Sequence, residues 1–217
     1  MGRRPLPKTR SLNAEKRNAW LKIILPHFSA NGFSDVRMDE LSTIVGVSKA
    51  TFYKHFVSKE DLIQALLKWK IDEISLSIPV LMDNSINYYE RYLKSTELSC
   101  FAVSGLSNAF LADLKLEYPE LYKQVESFRN ELVKIVGEFY KQAQRDGFIR
   151  ADLDIKILAM TEDLVYERAA DPEFLSRYDS NLEEFLTKYI HFRSMAILTN
   201  YNEETAIFFK NLISRLK

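Results

Sequence analysis

Apolar residues recur along this 217-residue chain at the three-and-four spacing of helices, with no convincing alternation of the kind strands show. Trp20, Leu21, Ile24, Leu25 and Phe28 form one face of a first helix, predicted over 14–30 and stopped by Asn31-Gly32. Pro26 cannot donate to the carbonyl of Lys22, so a kink is expected there, and His27 beside it reads as a boundary residue. Leu41, Ile44 and Val45 mark a second helix, which Gly46 ends because glycine enters the left-handed region without steric cost. Val47 fills the turn, and Ser48 can cap a short third helix. Phe52 and Phe56 then point inward, leaving Lys49, Ala50, Thr51, Tyr53, Lys54 and His55 outside. Ser42 is small where two crossing helices would meet. This is the pattern of a helix-turn-helix, whose second helix lies in the major groove of DNA.

Ser58 opens the next helix, with Ser58-x-x-Asp61 resembling a capping box. Lys59 stands at the positive end of that helix's dipole, a poor place for a cation unless an anion such as phosphate lies nearby. The helix is expected to run to Ile78, before Pro79. Further helices are predicted from Asn84-Ser85 through Tyr88, Tyr89 and Tyr92, over 100–116, and from Pro119 to Asp146 with Gly147 as the stop. Asp154 is expected to cap a helix to Ala170, which Asp171-Pro172 breaks. A Ser180-x-x-Glu183 capping box opens one to about Asn200, and a last helix follows Asn202. The helix 154–170 carries two apolar stripes, Ile155, Leu158 and Val165 on one and Ile157, Met160 and Leu164 on another. The helix 180–200, with Leu182, Phe185, Leu186, Tyr189, Ile190 and Ile197, is likewise apolar on more than one face. A helix packed on two sides needs two partners.

Composition sharpens the picture. With 47% hydrophobic residues and only 6 Gly and 6 Pro, the chain can fill a sizeable core with long segments, an all-α fold in two domains. The expected divisions are a flexible basic arm over 1–13, a helix-turn-helix domain over 14–60 and a helical body over 61–217. No apolar run is long enough to span a bilayer and none follows the N-terminal charges, so neither a membrane partner nor a secretory signal is expected. One cysteine, Cys100, excludes an internal disulfide and fits a reducing cytoplasm.

The net charge of zero hides a division. Residues 1–60 carry 11 Lys and Arg against 5 Asp and Glu, whereas residues 61–217 carry 19 against 25. A basic end beside a helix-turn-helix points to double-stranded DNA as its partner. The arm, with Arg3, Arg4, Lys8 and Arg10, either reaches phosphates or a minor groove, or is a solvated tail. Candidate catalytic groups are absent. His27, His55 and His191 have no metal-ligand spacing, and there is no phosphate loop, nucleophile elbow or partner for Cys100. No metal, cofactor or catalytic residue is therefore assigned.

Residues 17–62 closely resemble the DNA-binding domain of the tetracycline-repressor (TetR) family of bacterial transcriptional regulators. The resemblance rests on Arg17, Leu21, Phe28, Gly32-Phe33, Leu41, Gly46-Val47-Ser48-Lys49, Thr51, Tyr53, His55-Phe56 and Ser58-Lys59-Glu60-Asp61-Leu62, in register without a gap. Val36-Arg37 stands where the family usually has a Thr-Thr or Thr-Ser pair, Ser42 replaces a common alanine, and Pro26-His27 interrupt a run that is usually plain helix. The body, AFLADLKLEYPELY through DGFIRADLD, is similar to that family less specifically. In role terms, Lys49, Ala50, Thr51, Tyr53 and Lys54 would face DNA, with Ser48, His55 and Lys59 nearer phosphates and Arg4 and Arg10 supplied by the arm. The resemblance implies a small-molecule effector in the body, with Tyr92, Phe101, Phe110, Phe128 and Tyr166 as candidates, although each aromatic also reads as core. It further implies a homodimer built on the two-faced helices, through Leu164, Leu182, Leu186 and Ile190, and a repressor relieved from a pseudo-palindromic operator. Two other readings stay open: a helical binding or interaction protein that does not contact DNA, and an all-α enzyme.

Overall fold

The computed structural model describes residues 8–103, 106–169, 171–203 and 205–207. These residues form eleven helices and no strand, the all-α fold that the spacing predicts. In chain order they are α1 (Lys8–Asn31), α2 (Met38–Ile44), α3 (Lys49–Tyr53), α4 (Lys59–Ser75), α5 (Ile78–Met82) and α6 (Tyr88–Val103). There follow α7 (Asn108–Glu117), α8 (Pro119–Arg145), α9 (Ile155–Ala169), α10 (Pro172–Ser176) and α11 (Leu182–Ile197).

Most element ends follow the capping chemistry. Ser48 accepts from the Thr51 N–H at 3.2 Å. Asp154 accepts from Lys156 and Ile157, and Asn202 from Thr205. Several boundaries differ. Helix α1 begins at Lys8, so the second half of the expected flexible arm is helical. Helix α4 stops at Ser75, and Pro79 starts the short α5 in its first turn. The helix expected over 100–116 is divided, because Ser107 caps α7 by accepting from Phe110 at 3.1 Å. At α11 the cap is Asn181, accepting from Glu184 at 3.0 Å, and not Ser180. Of the last predicted helix only the start, to Ile207, lies within the described residues.

The chain gathers into two compact units, one of residues up to Asp72 with Ser107–Val125, the other of Glu73–Leu106 with residues from Glu126 onward. The first unit is built on aromatic rings. Trp20 meets Phe52 at 6.0 Å and Phe56 at 6.5 Å, while Phe28, Phe33 and Phe110 form a second cluster onto which Tyr118 stacks. Gly32 turns the chain there with φ +80°, and a Cβ at that position would collide with the Asp113 carboxylate. The second unit encloses Tyr92, Leu93, Leu132, Phe139, Tyr140, Ile155, Ile190 and Ile197. Within it, Arg150 donates to Ile197 and Thr199 to Phe148 across the isolated antiparallel pair Ile149 and Leu198.

Candidate nucleic-acid interface

Helix α3 owes its position to two buried rings and one glycine. Phe52 and Phe56 are fully buried, and their rings lie 5.2 Å apart. Gly46 at φ +73° lets Val47 donate back to Ser42, whose buried side chain leaves room for the crossing helix. The opposite face is what remains: Ser48, Lys49, Ala50, Tyr53 and Lys54 are exposed and Thr51 is half-buried. Thr51 Oγ1 shares a 2.8 Å hydrogen bond with Ser48 Oγ, so both hydroxyls serve the cap. His55 is half-buried against the Trp20 ring at 4.9 Å. Burial, then the charges of Lys16 and Arg17, lower its pKa, which keeps the imidazole neutral near pH 7.

Lys59 is placed differently from the phosphate role expected of it. Its Nζ donates to the carbonyls of Phe33 (2.9 Å) and Ser34 (2.7 Å), which offsets the unfavourable helix dipole with local carbonyls instead of an outside anion. The neighbouring cap is also modified: Asp61 N–H donates to Ser58, but the Asp61 carboxylate accepts from Val57 and not from the cap residue itself. Arg4 lies outside the described residues, and the Arg10 side chain does so too, although its backbone belongs to α1.

One residue at this face escaped the sequence reading. Asp39, in the first turn of α2, accepts from Lys49 Nζ at 2.6 Å on one oxygen and from the Tyr53 hydroxyl at 3.4 Å on the other. The Lys49 hydrogen bond lowers the Asp39 pKa, and the same bond raises that of Lys49, so both stay ionised. Its only sequence signal is that of any acidic residue favoured at a helix start, which hides the second task.

The aromatic candidates of the body separate. Phe110 belongs to the first unit and packs on Phe28 and Phe33, so it is core of that unit and not part of an effector site. Phe128 packs against the core of the second unit, and the Phe101 side chain lies outside the described residues. Tyr92 and Tyr166 join a buried polar network that the sequence reading missed. Arg193 donates to Glu162 (2.9 Å), to the hydroxyls of Tyr92 and Tyr166 (3.0 Å each) and to Thr96 (2.5 Å). The Tyr140 hydroxyl donates to the same Glu162 carboxylate at 3.0 Å. Burial pushes the Glu162 carboxyl up, and Arg193 pulls it back. The signal for this network was present: Arg193 falls on the inward stripe Leu186, Ile190 and Ile197, and Glu162 on that of Ile155 and Tyr166.

The two apolar stripes of α9 are real. Ile155 is buried, whereas Ile157, Met160 and Leu164 are exposed, Leu164 at 60%. On α11, Phe192 and Met195 are exposed, at 67% and 56%. Ile190, expected at a dimer interface, is 1% exposed within the core of its own unit, and Leu186 packs against that core. They sit on the inward stripe, so Ile190 is removed from the interface candidates. Leu182 is half-buried. No helix among the described residues is long and apolar enough to cross a membrane, and these residues contain no metal-holding cluster.

Residues 27–66 match the family model of bacterial regulatory proteins, tetR family. The chain is 25% identical over 149 residues to the HTH-type transcriptional regulator UidR of Escherichia coli K12, covering 67% of this chain and 76% of that protein. It is 23% identical over 166 residues to the HTH-type transcriptional repressor KstR2 of Mycobacterium tuberculosis H37Rv, covering 74% and 79%. Its fold is similar to that of a TetR-family regulator from Marinobacter aquaeolei VT8, with a TM-score of 0.66 at 18% identity over 90% of this chain and 98% of that one.

Proposed function

We propose that this chain, whose residues 27–66 match the tetR family of bacterial regulatory proteins, is a DNA-binding transcriptional regulator of that family, a homodimeric repressor released from a pseudo-palindromic operator by a small-molecule effector. The observation that carries the reading is α3: two rings anchor it, and its free face presents Lys49, Ala50, Tyr53 and Lys54 together. A helix so anchored offers a rigid polar surface of a width that fits the major groove. A relative named as a repressor supports the sign of regulation. The exposed stripe of Ile157, Met160 and Leu164 with Phe192 and Met195 is the proposed seam between two copies. Effector binding is proposed for the second unit, where Tyr92 and Tyr166 lie on the buried network of Arg193 and Glu162 and Phe128 packs against the core. The protein acts where its DNA is, in the cytoplasm.

The test is a salt titration of binding to a fluorescent duplex. Contacts between basic residues and phosphates release counterions, so log Kd should rise steeply with log salt. Lys54→Ala, which removes one exposed positive charge from this face, should weaken binding and flatten the slope by about 1 per half-site. Binding that is absent, or indifferent to salt, would contradict the reading.

A further inference from the structure

We propose that Asp39 is a specificity-determining residue, which commits Lys49 and Tyr53 to reading bases and away from phosphates; this rests on the reading of α3 as the DNA-contacting helix. Lys49 and Tyr53 stand four residues apart on α3 and therefore share a face. Asp39 reaches both from α2, one carboxylate oxygen to each, at 2.6 and 3.4 Å. An ionised carboxylate only accepts hydrogen bonds, so the Tyr53 hydroxyl must donate to it. The phenol oxygen then has only lone pairs left to offer outward. Phosphate oxygens, guanine O6 and N7 and thymine O4 are all acceptors, and an accepting tyrosine gains nothing from them. The amino groups of cytosine N4 and adenine N6 are donors in the same groove, and they alone suit it.

The Lys49 ammonium is affected in a parallel way. Paired with Asp39 it adds no net charge to the surface, so its pull on phosphates is largely cancelled, while two of its three N–H donors remain for base acceptors. A half-exposed ion pair adds little to folding stability, so stability does not explain an acid at this place. Set against a polyanion, that acid disfavours any complex in which the pair gains no base contact. Non-cognate DNA is penalised more than the cognate site, which is what discrimination requires.

The experiment starts from a random-sequence duplex pool, from which the wild-type protein selects its preferred site. Binding to that duplex and to a scrambled duplex is then measured over a range of salt for wild type, Asp39→Asn, Tyr53→Phe and the double variant. Melting curves confirm that all four fold. For Asp39→Asn, affinity for the scrambled duplex should rise, the preference for the selected site should fall about tenfold, and the salt slope should steepen by about 1 per half-site. Tyr53→Phe should lose preference at one base pair in the wild-type background and nothing further beside Asp39→Asn. Equal gains on both duplexes, with preference intact, would make Asp39 a plain repulsive charge and overturn the proposal. So would additive effects of the two substitutions. A wild-type protein that selects no sequence at all would remove the DNA-binding reading together with it, whereas a selected site that Asp39→Asn reads as wild type does removes this inference alone.

Discussion

Lys59 and Asp113 hold the same two residues from opposite chemical sides. The Lys59 ammonium takes the carbonyls of Phe33 and Ser34, and the Asp113 carboxylate takes their N–H groups, at 2.6 and 2.9 Å. The turn after α1 thus has its backbone groups satisfied by side chains from α4 and α7, within the first unit. Removing either side chain should cost about 1.5–3 kcal/mol, the range for hydrogen bonds to charged groups. Lys59→Ala and Asp113→Ala should therefore lower the melting temperature, read by circular dichroism. Since Lys59 is committed to carbonyls, its loss should leave the salt slope of DNA binding unchanged. A slope flattened by about 1 per half-site with unchanged melting would return Lys59 to the phosphates.

The same carboxylate gives a pH dependence with a definite sign. Burial raises the Asp113 pKa, but the N–H groups of Ser34 and Phe33 and the nearby Lys59 charge outweigh it, so the net shift is downward. A carboxyl depressed in the folded state stabilises above its unfolded value, about 3.9, and that contribution fades as pH falls through the folded value. The stability difference between wild type and Asp113→Asn should be constant from pH 7 to 5 and shrink below about pH 4. Urea melts across that range measure it. A difference that stays constant to pH 3 would show that the charge is not the cause.

The buried pair in the second unit makes a different prediction. Arg193 and Glu162 are 3% and 5% exposed, so their desolvation is nearly complete. Glu162→Gln leaves the guanidinium without its counter-charge and should cost about 3–5 kcal/mol. Replacing both, as Arg193→Met with Glu162→Leu, should recover much of that loss, because an apolar pair avoids the desolvation penalty. Double-mutant analysis by denaturant melts would show a large coupling; additive losses would mean that the two residues act independently.

At the proposed seam, Met160→Glu and Phe192→Glu should yield folded monomers at micromolar concentration in sedimentation velocity, since an unpaired charge in an apolar interface costs several kcal/mol. Ile190→Glu should instead unfold the second unit, because its site is inside the core. A persisting dimer in both surface variants would place the interface elsewhere.

The sequence carried the helices and their faces wherever spacing and caps agreed, as at Ser48, Gly46 and Asp154. It misplaced boundaries where one cap competed with a neighbour: Ser180 and Asn181 are both good N-caps, and only the chain's path selects Asn181. Local pattern could not tell that Phe110, far along the chain, packs with Phe28 and Phe33, since that contact is set by tertiary packing. It likewise gave no sign that Lys59 and Asp39 already have partners within the protein. Both lie half-buried in the first turn of a helix, where the pattern of charges looks alike whether the partner is DNA, solvent or another side chain.

Selection of binding sites from a random duplex pool by the wild-type protein tests the central claim most directly. A two-fold dimer with one reading helix per copy should enrich a pseudo-palindrome whose half-sites lie about 34–36 Å apart or a multiple of that. Enrichment of an asymmetric single half-site, or of nothing beyond the starting pool, would contradict a homodimeric operator-binding regulator.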